Sequence, residues 1–169
     1  MTQTVDPALA ELKNLLLAAP GRPQLAVAES MTGGRLQARI TEISGASGFF
    51  LGGVTAYAPA QKVALLGVNE AYASAVNRVS ERVAGEMACG ACRLFGADLA
   101  VSTTGYAEPS PADGVKDPFA WVALAATSGG VPRVLSTLRV DCPGANRTEA
   151  QTQVTASALA LLIERLRAG

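Results

Sequence analysis

Leu25-Ala26-Val27-Ala28-Glu29-Ser30-Met31-Thr32-Gly33-Gly34 changes character within one short stretch. Its first four side chains are apolar without alternation, the pattern of a strand buried on both faces. A carboxylate, two hydroxyls and a glycine pair follow, and then Leu36, Ile40 and Ile43 recur at helical spacing. This reads as a strand, a tight turn and a helix start, with free backbone N–H groups behind the hydroxyls. Such a turn binds an anion, or holds a serine for nucleophilic attack. The plainer alternative makes Ser30 or Thr32 a helix cap, with Gly33 and Gly34 permitting close strand–helix packing. The GxxxxGK[ST] spacing of a P-loop is missing.

On the N-terminal side, Leu9, Leu12 and Leu16 mark one face of an opening helix that ends before Pro20-Gly21. On the C-terminal side, residues 45–48 form a loop and 49–57 a strand interrupted by Gly52-Gly53. Pro59 suits the first turn of a short helix through Lys62 and Leu66, closed by Gly67. A polar connector with a short helix covers 69–78. Ser80 caps a helix striped by Val83, Met87, Ala91 and Leu94 and stopped at Gly96. A strand over 98–103, a long loop over 104–117 and a hairpin of strands 119–126 and 133–140 come next, before a final helix over 147–167. Helices alternate with strands early and a hairpin comes late. The expectation is therefore one α/β domain over 1–169, a three-layer α/β/α arrangement with a mixed sheet.

Composition sets the outer bounds. Apolar residues make up 49% of 169 residues and charged ones only 17%, below the usual quarter, so a large core is expected. Fourteen basic residues balance fourteen acidic ones, which argues against nucleic acid or an anionic membrane as partner. The opening MTQTVDPALAELKN lacks the basic and apolar regions of a signal peptide, and no apolar run is long enough to span a bilayer. Three cysteines, an odd number, fit a cytoplasmic protein better than a disulfide framework.

The chain has no histidine, so a nucleophilic serine here needs another base, and lysine leads. Among its lysines, Lys62 lies in the most apolar local sequence; burial would lower its pKa toward neutrality, whereas a solvated helix lysine is the plainer alternative. Cys89 and Cys92 form a CxxC in mid-helix, where packing explains them better than redox chemistry. With Cys142 the only other thiol, no metal site and no cofactor are expected. The loop from Thr103 to Pro109 follows a strand, where open α/β sheets place ligands, with a plain surface loop the equal alternative, and Arg147 at the last helix start suits a phosphate, a cap or a solvated surface position.

Taken together, AESMTGG (28–34), TEISGASGFFLGGVTAYAPAQKVALLGV (41–68), VSERVAGEMACGA (79–91) and GADLAVSTTGYAEP (96–109) resemble the C-terminal domain of competence/damage-inducible protein CinA and its stand-alone relatives, the nicotinamide-nucleotide amidases. The resemblance covers most of the chain and implies hydrolysis of nicotinamide mononucleotide to nicotinate mononucleotide and ammonia. It maps the nucleophile onto Ser30 and its base onto Lys62, with Thr32, Gly33 and Gly34 in the oxyanion turn. Ser47, Tyr57, Thr103, Gly105 and Arg147 fall where the family contacts the nucleotide or supports the dyad. The chain departs from the family pattern at Met31, Ala58, Pro59, Glu108, Ala120 and Trp121, and carries one extra residue in Gly144-Ala145-Asn146-Arg147. A carboxylate at Glu108 would repel a phosphate beside it, and Trp121 would narrow or reshape the pocket. The implied partners are a small-molecule nucleotide substrate and a second copy of the chain, a homo-oligomer with a dimer favoured.

Overall fold

The computed structural model describes residues 6–169; the first five residues of the segment read above as carrying no leader lie outside them. Its order is α1 (Pro7–Ala18), β1 (Leu25–Glu29), α2 (Arg35–Thr41), β2 (Phe50–Thr55), α3 (Pro59–Leu66), α4 (Glu70–Ala75), α5 (Glu81–Phe95), β3 (Leu99–Tyr106), β4 (Phe119–Ser128), β5 (Val131–Asp141) and α6 (Arg147–Ala168). The strands form one sheet in the order β2-β1-β3-β4-β5. β1 runs parallel to both β2 and β3, and β3, β4 and β5 are antiparallel, so the sheet is mixed.

Side-chain alternation along the central strands builds two unlike faces. Leu25, Val27, Val101, Val122 and Leu124 pack with α1, α2 and α6, among them Leu12, Leu36 and Leu162. Ala26, Ala28, Ala100, Ala123 and Ala125 line the other face and pack on α5, with Ala84, Met87, Ala88 and Ala91. Alanine on the sheet and small residues on α5 let that helix sit close. Closeness extends to α3: a Cβ on Gly90 would overlap the Leu66 backbone, so only glycine lets α3 lie against α5. These helices on both faces complete three layers, and β1 is buried along its whole length.

Observed boundaries differ from the sequence expectation mainly at β3. A loop was expected from residue 104, but the strand continues to Tyr106 because Thr104, Gly105 and Tyr106 pair with Trp121, Ala120 and Phe119. Gly105 permits this, since a Cβ there would overlap the Phe119 carbonyl and Ala120. From β1 the chain crosses to β2 on one side and, through α3 to α5, returns to β3 on the other. The crevice beyond the carboxyl ends of β1 and β3 is thus a topological switch point, where open α/β sheets bind ligands.

Candidate active site

A cavity of about 460 Å³ opens at this switch point. Ser30 and Met31 from the turn after β1, Tyr57 and Lys62 from the β2–α3 region, Arg78 before α5, Gly105 to Ser110 after β3, and Arg147 at the start of α6 line it. Of the residues expected from sequence, Ser30, Lys62, Tyr57, Gly105 and Arg147 share this cavity.

Ser30 is aimed by the buried Glu29 that precedes it. The Glu29 carboxylate accepts from Gly34 N–H and Leu36 N–H, both at 3.0 Å, from Gln37 N–H at 2.8 Å and from the Thr32 hydroxyl at 2.7 Å. It therefore occupies the N-terminus of α2 and satisfies the donors that a helix start leaves free. With the Thr32 proton given to Glu29, Thr103 donates to Thr32 Oγ1 at 2.6 Å. Gly33 and Gly34 have φ of 63° and 95°, the left-handed conformation the turn requires. On the opposite side, the buried Gln151 of α6 donates to the Met31 carbonyl at 2.9 Å.

This network corrects several of the expected contacts. Thr32, Gly33, Gly34 and Thr103 do not line the cavity: the two threonine hydroxyls and the two glycine amides are spent on the turn and on Glu29. The N–H near Gly33 is likewise unavailable to an oxyanion, because Gly33 donates to the Ser30 carbonyl and Gly34 to Glu29. Among the described residues, the backbone N–H groups of Met31 and Thr32 have no hydrogen-bond acceptor and are the open donors of the turn. Ser47 stands exposed in a 3-10 turn before β2. Since Leu25 pairs with Phe50 at the amino ends of the parallel strands, Ser47 lies at the opposite end of the sheet from the cavity. Gly105 lines the wall, but what demands glycine there is the approach of β4. Trp121 does not narrow the cavity: it faces Thr104 across the β3–β4 ladder and packs with the core under α5.

Lys62 is only 5% exposed and makes no salt bridge within the described residues. Its Nζ donates to Thr104 Oγ1 at 2.9 Å and to the Arg78 carbonyl at 3.3 Å, and Thr104 in turn donates to the same carbonyl at 3.1 Å. Burial, and then the nearby positive charge of Arg78, lower its pKa from the ordinary 10.5 to about 8. No hydrogen bond joins Nζ to Ser30 Oγ; the two residues line the same cavity. Arg78, which presents the carbonyl, holds φ of 62°, uncommon for a long side chain and a point of strain at the cavity wall, while Asn77 before it holds 49°, which asparagine tolerates. Pro59 sits at the first turn of α3, where it needs no N–H, so the departure at Ala58-Pro59 leaves the lysine helix intact.

Sequence reasoning missed Glu29, Thr104, Gln151 and the Arg78 carbonyl as working parts. Period-two alternation offered one signal: Thr103 and Thr104 must point to opposite faces, so only one can meet the lysine. At the mouth, Arg147 pairs with both carboxylate oxygens of Glu108 and donates to Tyr57 Oη at 3.3 Å. Cys89 and Cys92 lie inside α5, and burial raises both thiols above their ordinary pKa, which suits packing. Among the described residues no cluster of His, Cys, Asp and Glu is arranged to hold a metal, and no helix is long and apolar enough to cross a membrane.

Fold and cavity together define a three-layer α/β protein with a polar site at the carboxyl ends of its parallel strands. The CinA C-terminal domain model matches residues 7–166, and the chain belongs to that family. A CinA-like protein of Frankia casuarinae is 40% identical over 145 residues, covering 86% of this chain and 32% of the relative. A CinA-like protein of Picosynechococcus is 50% identical over 101 residues, 60% of this chain and 24% of its own length. The chain thus spans about a quarter to a third of these curated relatives. A crystal structure of a CinA superfamily protein from Klebsiella pneumoniae superposes with a TM-score of 0.85 at 28% identity, covering 96% of this chain and 97% of that one. A competence/damage-inducible protein from Agrobacterium tumefaciens superposes at 0.79 with 27% identity and 99% coverage of both chains.

Proposed function

We propose that this chain is an amidohydrolase that releases ammonia from the carboxamide of a nicotinamide-bearing small molecule, with nicotinamide mononucleotide as reference substrate. The observation that carries the reading is a buried lysine with no carboxylate partner, opening on the same cavity as a turn hydroxyl. A neutral amine has two N–H bonds and one lone pair. Thr104 Oγ1 and the Arg78 carbonyl accept the two N–H bonds, which leaves the lone pair as the free position on the nitrogen. With a pKa of about 8, a useful fraction of Lys62 is unprotonated near neutral pH.

In this reading Ser30 Oγ attacks the amide carbonyl carbon and Lys62 takes its proton. The Met31 N–H, the open turn donor whose residue lines the cavity, stabilises the oxyanion. Collapse breaks the C–N bond, Lys62 delivers the proton to the leaving nitrogen, and ammonia departs. Water then adds to the acyl-serine ester, yielding the carboxylic acid and restoring the hydroxyl. The family resemblance supports the same pair of residues.

The test is ammonia release from nicotinamide mononucleotide by the wild-type protein and by Ser30→Ala and Lys62→Met. Loss of release in both variants, with folding retained, is expected. Release that survives both substitutions overturns the dyad. A non-catalytic binding role is the second reading, favoured by the absence of a Ser30–Lys62 hydrogen bond; calorimetry showing mononucleotide binding without turnover would select it.

A further inference from the structure

Charge at the cavity mouth is arranged in an unusual way. Arg147, the first residue of α6, extends back across the opening and meets Glu108 on the loop after β3. The pair is bidentate, Nε approaching Oε2 at 3.3 Å while the terminal nitrogen reaches Oε1. The remaining terminal nitrogen is taken by Tyr57 Oη. The guanidinium therefore already has an anion, and the fork that would grip a phosphate is filled. Arg147 holds the Glu108 carboxyl below its ordinary pKa, so the carboxylate stays charged at neutral pH.

A ligand with a phosphate at this mouth would have to displace Glu108 and leave a second negative charge beside its own. Displacement itself is cheap, since the side chains are 46% and 57% exposed and such pairs hold weakly. The lasting cost is repulsion from a carboxylate that stays tethered beside the mouth even when it turns into solvent. Arg78, the other arginine of the wall, offers a poor substitute. Its charge helps to lower the Lys62 pKa, and an anion bound to it would return that amine toward its protonated form. Asp113, on the same wall, adds a further carboxylate, held by Asn77 at 3.0 Å and Ser110 at 2.7 Å.

We propose that Glu108 is a specificity-determining residue: by pairing with Arg147 across the mouth, it turns the site toward carboxamides that carry no phosphate, nucleosides before nucleotides. The turnover form of this statement rests on the amidase reading above, whereas the binding form does not. The site would take the carboxamide at Ser30 and Lys62 and present carboxylate and phenol groups to the hydroxyls of a sugar.

The experiment compares nicotinamide riboside with nicotinamide mononucleotide in wild type, Glu108→Gln and Glu108→Ala. It measures kcat/KM by ammonia release, and Kd by calorimetry in the Ser30→Ala background. The wild type should favour the riboside, and both substitutions should move the riboside-to-mononucleotide ratio toward the mononucleotide by about tenfold. Glu108 is exposed, so loss of fold is not expected, and a merely structural role would affect both ligands alike. A wild type that favours the mononucleotide overturns the proposal, as does a ratio unchanged by both substitutions. If neither compound releases ammonia, the amidase reading fails and the Kd ratio decides the charge selectivity by the same criterion. Equal Kd values, or no binding of either compound, overturn it as well.

Discussion

Replacing Lys62 by methionine should remove catalysis and at the same time stabilise the protein. Methionine keeps the length and apolar character of the stem and deletes the amine. In the native chain the amine titrates near 8 instead of 10.5, because burial and Arg78 oppose its charge. At pH 7 it is mostly charged in the folded chain, with about a tenth neutral, and fully charged in the unfolded one, so the fold bears a penalty of about 3 kcal/mol. Lost hydrogen bonds to Thr104 and the Arg78 carbonyl offset part of that gain. Neither partner is orphaned, however, because Thr104 donates to that carbonyl at 3.1 Å. A net stabilisation of about 1–3 kcal/mol is expected, or roughly 2–4 °C in Tm for each kcal/mol in a domain of this size. The pH dependence gives the sharper test. Between about 8 and 10.5 the folded chain binds fewer protons than the unfolded one, so wild-type stability rises with pH through that window. The advantage of Lys62→Met should therefore shrink by about 2 kcal/mol between pH 7 and 9.5. Urea unfolding of both proteins at the two pH values measures it. A variant less stable than wild type at pH 7, with a gap that does not change with pH, would refute the burial argument.

Other consequences follow from the same geometry. If Lys62 is the base, kcat/KM should rise with pH through an apparent pKa near 8 and level off above it; a pH–rate profile flat from 6 to 9 would contradict that role. Glu29→Gln keeps the volume but replaces one acceptor oxygen with a donor facing the α2 N–H groups, so a loss of about 2–3 kcal/mol is expected by chemical denaturation, together with reduced activity as the Ser30 turn loosens. Gly90→Ala should cost about 1–3 kcal/mol and displace α3, lowering kcat, because its Cβ meets the Leu66 backbone; wild-type stability and kcat in that variant would show that α3 is not held this way.

Much of this protein was legible where the cause is local. The unalternating Leu25–Ala28 run, the glycine pair 33 and 34 of the tight turn, the Ser80 cap and the apolar neighbours of Lys62 act over a few residues, so composition and spacing expose them. The order of helices and strands likewise sufficed for a three-layer domain with a mixed sheet. Site contacts were less legible because they depend on which face of the sheet each residue meets. Thr103 and Thr104 are neighbours of the same type, yet one is bound under the turn and the other holds the lysine. Strand alternation separates them, but the phase is set only when α5 covers the alanine face.

The amino-acid sequence by itself determined a histidine-free α/β chain with a hydroxyl-bearing turn after its first strand and a lysine set among apolar residues. Tertiary structure decided what those groups touch. It spent the Gly34, Leu36 and Gln37 amides on Glu29, left Ser47 at the far end of the sheet, and joined Glu108 to Arg147 across 39 positions of sequence. Hydrogen bonds and ion pairs act over a few ångströms, and only the folded chain brings such distant residues within that range.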